Sequence, residues 1–197
     1  MVKLNTEIGE LKFPDTLVAT VLERLDGLDE ISVRVIKLCA CFGFEFRLAE
    51  LRLVALGFLD GNTNETLDIA LQVLQDRQMI VHVQETRADV HLKFTHQILC
   101  ESAYGLMASS FREQVHTKIA SVLDTGTRKT KTEILAYHFI RAGNKERGCT
   151  LLYAASKSAM RVRALKEAYN SIALAIASAP SDDAKFVYTS FAAWIKR

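Results

Sequence analysis

The chain has 197 residues, 49% of them apolar, a mean hydropathy of +0.09 and a formal net charge of +2, which describes a globular protein able to bury its own core. So small a charge, with neither a basic block nor an acidic tail, makes no case for bulk binding to nucleic acid or a charged membrane, and no apolar run approaches the roughly 20 residues of a membrane span. Cys39, Cys41, Cys100 and Cys149 form no CxxC pair and follow no secretory leader, so reduced thiols in a cytoplasmic protein are expected.

Residues 1–13 carry no clear period and read as an irregular lead-in. Pro14-Asp15 opens a first helix whose stripe of Leu17, Val18, Val21, Leu22 and Leu25 is stopped by Asp26-Gly27. Asp29 caps the next helix, with Ile31, Val35, Ile36, Leu38 and Cys39 inward and Gly43 at its end. Cys39 and Cys41 face different directions on it, which argues against a local disulfide. Phe44-Glu45-Phe46 alternates like a short strand, Leu48–Leu56 gives a brief helix closed by Gly57, and Asp60-Gly61-Asn62 is a turn. Leu67, Leu71, Val73 and Leu74 mark a third full helix reaching about Gln78. Ile80–Val83 and Val90–Phe94 then form a hairpin across Thr86–Asp89, with His82 and His91 on the face opposite Val81, Val83 and Leu92. Three helices followed by a two-stranded wing make a winged helix.

The hairpin runs directly into another helix. Thr95 is placed to cap it, His96 falls in its first turn, and Ile98/Leu99, Ala103 and Leu106/Met107 form its buried stripe. A helix start leaves unpaired N–H groups and a positive dipole end, so an imidazole there helps to hold an anion such as a phosphate. Ser110 and Glu113 have capping-box spacing ahead of Val115, Ile119 and Leu123. The polar stretch 125–132 is the one plausible linker, and helices follow at about 133–142, 145–160, 164–178 and 182–195. The expected protein is mainly α: a winged-helix domain with connecting helices over 14–124, the linker, and a helical region over 133–197.

In that last region Ala168, Ala175 and Pro180 stand at the small, small and proline positions of a tetratricopeptide repeat, with Leu152, Ala155 and Ile172 at other apolar positions. Ser156 sits where the repeat has glycine and Ala159 where it has a large aromatic. One such repeat cannot bury its own face, so an array continuing past Arg197 is expected. Its protein-binding candidates are Ala155, Ala168, Ala175, Phe191 and Trp194, through a small-residue face and an uncovered apolar end around Phe186.

The run Phe94-x-His96-x-x-Leu99-x-Glu101-x-Ala103-Tyr104, followed by Arg112 and His116, resembles the winged-helix end of signal-transduction ATPases of the STAND class. It looks most like the form fused to class III nucleotide cyclases, as in soluble-type adenylyl cyclase, or to protein kinases. Pro14 and Arg24-Leu25-Asp26-x-Leu28 resemble the start of that domain. In related immune receptors the stretch reads His-Asp-Leu-x-x-Asp-x-Ala; His96, Ile98, Glu101 and Ala103 match its spacing, and Gln97 stands where it has an acid. The resemblance implies that His96 senses nucleotide by reaching the β-phosphate of ADP held in an upstream core domain. It also implies a cyclase or kinase module as effector. No G-x-x-x-x-G-K-[ST] occurs and no Asp-ended apolar strand stands out beside it, so the chain alone is expected to be no enzyme, and ATP or ADP enters only with the upstream core.

Other chemistries fare worse on the residues. The third full helix carries Glu65, Asp68 and Asp76 against Arg77, an acidic face that phosphates would repel, which argues against reading DNA. His82, His91, His96 and Cys100 invite zinc, but their placement on different faces favours scattered polar residues on a solvated wing. Cys100, Glu101 and His116 lack an oxyanion loop for nucleophilic work. Tyr104 and Arg112 are expected to tie their helix to its successor, and Glu101 to pair with a nearby base. Arg128, Lys129 and Lys131 read as part of the solvated linker. A stand-alone helical scaffold that binds only protein is the alternative function.

Overall fold

The computed structural model describes residues 15–60, 63–86, 89–125 and 131–195. The expected lead-in over 1–13, Pro14, the tips of both turns and most of the linker, with Arg128 and Lys129, lie outside the described residues. The chain is mainly α, with ten helices and one three-stranded sheet among the described residues. It divides into two compact units, one ending at Val122 and one beginning at Leu123. No helix among the described residues is long and apolar enough to cross a membrane.

The first unit opens with α1 (Asp15–Asp26) and α2 (Glu30–Phe42). Asp29 caps α2 by accepting from the Ser32 N–H and hydroxyl, and these bonds to its charged form hold the carboxyl below the usual range. Gly43 ends the helix with φ 106°, a left-handed backbone that suits glycine. The chain continues through β1 (Glu45–Arg47), α3 (Leu48–Ala55), α4 (Thr63–Asp76), β2 (Ile80–Thr86), β3 (Asp89–Phe94), α5 (Gln97–Gly105) and α6 (Ser109–Thr125). Because α6 begins at Ser109, Ser110 lies inside its first turn and is not the cap. Leu38, Leu51, Leu67, Leu74, Ile80, Phe94 and Leu99 meet in a core from which water is excluded, the largest favourable contribution to this unit.

The sheet is antiparallel with β3 central, in the order β1-β3-β2. Ile80 pairs with Phe94 and His82 with Leu92, while Gln84 pairs with His91, so Val83 is an extra residue in β2. Directly opposed residues share a face, which places His82 on the same side as Leu92 and Phe94. That overturns the expected common face for His82 and His91: the register sets His82 opposite Leu92, and His91, the next residue to Leu92 on β3, points to the other side. His82 is exposed at the edge of that side, its Nε2 2.9 Å from Nε2 of Gln75, whereas His91 Nδ1 lies 3.5 Å from the Glu45 carboxylate.

The second unit contains α7 (Thr132–Arg141), α8 (Lys145–Arg161), α9 (Leu165–Ser178) and α10 (Asp182–Ile195), each packed on the next. Short connections make consecutive helices antiparallel neighbours. Ala136, Cys149, Leu152, Ile172, Ala175, Tyr188 and Ala192 form the core. Ser156 is buried and donates to the Ala168 carbonyl at 2.7 Å, so the hydroxyl pins α8 to α9. Arg163 turns the chain between them with φ 58°, and the Ala164 N–H bonds back to the Ala159 carbonyl.

At Gly148 α8 packs closely on α7. A Cβ there would lie 2.4 Å from Cγ1 of Ile140 and 2.9 Å from the Ala136 carbonyl oxygen. Gly148→Ala is therefore expected to lower the stability of this unit by about 2 kcal/mol, overpacking outweighing the roughly 1 kcal/mol that alanine gains in a helix. Denaturant unfolding followed by Trp194 emission checks it; a more stable variant would show that the helices can separate at no cost.

Candidate functional site

The junction of β3 and α5 is set by backbone bonds to a distant segment. Phe94 is fully buried and its N–H donates to the Phe44 carbonyl; the Thr95 N–H donates to Met79 at 3.0 Å. The Thr95 hydroxyl donates to the Gln78 carbonyl at 2.8 Å, and Gln78 stands in a left-handed conformation, φ 55°, at the end of α4. Thr95 is thus not the expected cap of α5. Its oxygen is spent on the α4–β2 turn, and His96 takes the N-cap position with an extended backbone and no side-chain hydrogen bond to the helix. His96 is exposed, one residue ahead of the first turn in which the sequence placed it.

Beside this helix start lies an open cavity of about 430 Å³, lined by Thr20, Val21 and Arg24 of α1 and by His96, Gln97, Ile98 and Leu99. Arg24 donates from Nη2 to the Arg77 carbonyl at 2.9 Å, which fixes its guanidinium near the end of α4. The helix dipole, an arginine and an imidazole border one concavity, a setting that favours an anion. Arg24 was missed as a site residue: only the packing of α1 on α5 carries it there. Thr20, Val21 and Arg24 do share one face of α1 by helical spacing, the signal that was present.

Of the other motif residues, Leu99 and Ala103 are buried and hold α5 against α2 and its neighbours. Glu101 accepts from the Gln97 amide at 3.0 Å, one turn back on α5, rather than from the expected base. The Arg112 guanidinium lies 5.1 Å over the Tyr104 ring, and the Tyr104 hydroxyl and Nε2 of the buried His116 share a hydrogen bond at 3.0 Å. These contacts join α5 to α6.

Cys39, Cys41 and Cys100 are buried and free. The Cys100 thiol is 4.0 Å from the Ala40 carbonyl and that of Cys41 3.9 Å from the Met107 sulfur. Burial, reinforced by Cys100 itself, pushes Cys41 up to about 12; burial and the neighbouring Glu101 do the same to Cys100, also to about 12. Such thiols stay protonated and unreactive near neutrality. Cys100, Glu101 and His116 are each engaged with different partners, and no cluster of three or more His, Cys, Asp or Glu suited to a metal occurs among the described residues.

In the second unit Ala168 and Ala175 are fully buried, and Ala155 is partly so. The small-residue stripe is consumed between α8, α9 and α10, which removes Ala168 and Ala175 from any binding surface. Phe191 packs edge-on against Tyr153 and stacks on Trp194, while Trp194 is 59% exposed.

No model of a known protein family, no curated protein and no solved structure matches the chain.

Proposed function

We propose that the chain is the regulatory segment of a STAND-class signal-transduction ATPase, sensing the nucleotide held by an upstream core and relaying it to a cyclase or kinase module. In support of a winged helix stands the order α2, β1, α3, α4, β2, β3, with β1 joining the second hairpin strand. In support of a tetratricopeptide-like region stand four consecutive antiparallel helices with Ala168 and Ala175 buried at their crossings. The observation that carries the proposal is His96, exposed at the uncapped start of α5 and facing the concavity that Arg24 borders. A cytoplasmic setting accords with four free cysteines.

A DNA-reading role draws no support from α4, where Asp68 is engaged by Arg52 at 2.6 Å, Glu65 is exposed, and Ile69 points an apolar side chain outward. The stand-alone scaffold differs from the proposal in one observable. In the scaffold His96 has no ligand.

The test uses full-length protein loaded with a fluorescent ADP. His96→Ala is expected to speed ADP release by roughly 10- to 150-fold, the loss of a charge-assisted bond of about 1.5–3 kcal/mol, and to raise basal effector output. Because His96 is exposed, stability should change by no more than about 0.5 kcal/mol. Unchanged ADP release from a normally folded variant, or a transcript with no phosphate loop upstream of Met1, sinks the proposal.

A further inference from the structure

The turn between α8 and α9 stands out from its own unit. Helix α8 has 17 residues and α7 has 10, and both meet at the connection over 142–144, so the far end of α8 overhangs its neighbour by roughly 10 Å at the helical rise. Along the run 157–170, which ends α8 and begins α9, the cations Lys157, Arg161, Arg163 and Lys166 stand against one acid, Glu167, and all five are exposed. Lys157 lies 4.3 Å over the Tyr153 ring. Arg161, Arg163 and Lys166 have no side-chain partner among the described residues. Interleaved with them, Val162 is 74% exposed and Leu165 54%.

A lone exposed aliphatic needs no explanation, but aliphatics alternating with cations at the tip of a helical hairpin do. Arg163 adds a second observation, because it holds the left-handed backbone, φ 58°, that ends α8. Glycine or asparagine takes that conformation at lower cost. The turn thus keeps an arginine where backbone energy favours a smaller residue and a valine where solvation favours a polar one, and strain of this kind points to a segment held for contact.

The pattern fits a surface that is anionic on top and apolar just beneath. Val162 and Leu165 can enter the headgroup–acyl boundary of a bilayer, while the long stems of Arg161, Arg163 and Lys166 keep their charges among the phosphates. Each cation near an anionic leaflet adds attraction without needing a matched pocket. A protein partner is served less well, since two aliphatic side chains on a convex turn bury far less than a stable protein interface requires. We infer that the α8–α9 turn is a peripheral contact for an anionic lipid bilayer. It rests on this local cluster, the net charge of +2 being too small for bulk attraction, and it is independent of nucleotide sensing.

Vesicle co-sedimentation of the whole chain at roughly 0.1 M salt is expected to show binding to phosphatidylcholine vesicles that hold about 30% phosphatidylserine, no binding to phosphatidylcholine alone, and a bound fraction that falls as salt rises. Arg163→Asn relaxes the turn and removes one cation, so it should weaken binding about fivefold while thermal stability stays equal or rises. Insertion is read with a polarity-sensitive thiol dye, the native cysteines being buried. On Val162→Cys its emission should move to the blue with the anionic vesicles; on Thr150→Cys, exposed nearer the other end of α8, it should not. No binding to the anionic vesicles, equal binding to the neutral ones, undiminished binding of Arg163→Asn, or dye emission that moves at neither position or equally at both would each overturn the inference. Tighter binding to polyglutamate than to the anionic vesicles would also overturn it, making the partner an acidic protein.

Discussion

Replacing Phe94 by alanine is expected to lower the stability of the first unit by about 3–5 kcal/mol, the cost of an unfilled cavity in a packed core. Phe94 is fully buried, its ring meets Phe46 edge-on at 6.1 Å between centroids, and across the sheet it opposes Ile80. A ring so enclosed leaves a void that the strands cannot close without breaking the bonds of Phe94 to Phe44 and Thr95 to Met79. The readout separates the units: circular dichroism follows both, whereas emission from Trp194, the chain's one tryptophan, reports the second alone. An early dichroism transition with unchanged Trp194 emission is the expected pattern. Loss of less than about 1 kcal/mol would mean that the sheet collapses around the gap.

The first unit should also lose stability steeply in alkali. Cys41 and Cys100 remain protonated in the fold to about 12, against an ordinary value of 9.0 for the unfolded chain. Between those limits the unfolded state releases its protons first and the native state binds more, so stability is complete below about 9 and falls as pH rises toward 12. Each thiol contributes about 1.4 kcal/mol per pH unit in that window, or about 3 kcal/mol for the pair at pH 10. Cys39, raised by burial and by Cys100, acts in the same direction. Urea unfolding at pH 8, 9 and 10 with a reductant measures the slope, and Cys100→Ala should cut it by at least one third. A flat profile from pH 8 to 10, or a variant as steep as the parent, would show that water reaches these sulfurs.

Period and punctuation made the helices legible. The apolar stripes that end at Asp26-Gly27 and Gly43, and the four helices expected at about 133–142, 145–160, 164–178 and 182–195, lie within a few residues of α1, α2 and α7 to α10. These signals are local: a helix is fixed by side chains three and four apart and by the residues at its ends. The alternation of Leu92 and Phe94 likewise marked the strand that became the middle of the sheet.

Function-bearing detail was less legible because it depends on partners far away in the chain. Thr95 has the side chain of a cap, yet its hydroxyl bonds to Gln78, and nothing within four residues announces that. Arg24 reaches the cavity at His96 only through the packing of α1 on α5. Ser156, read as a departure from a repeat pattern, binds the Ala168 carbonyl instead.

What the sequence determined alone is the set of elements, their order and the identity of most core positions, since hydrophobic periodicity is written residue by residue. Tertiary structure decided which face each element shows. The register of β2 on β3 set His82 opposite Leu92 and so away from His91, and a buried hydroxyl or carbonyl chose its partner by distance in space. A strand register, a diverted cap and a hydroxyl bonded across a helix crossing are outcomes of long-range packing, in which every buried polar group must find a bond.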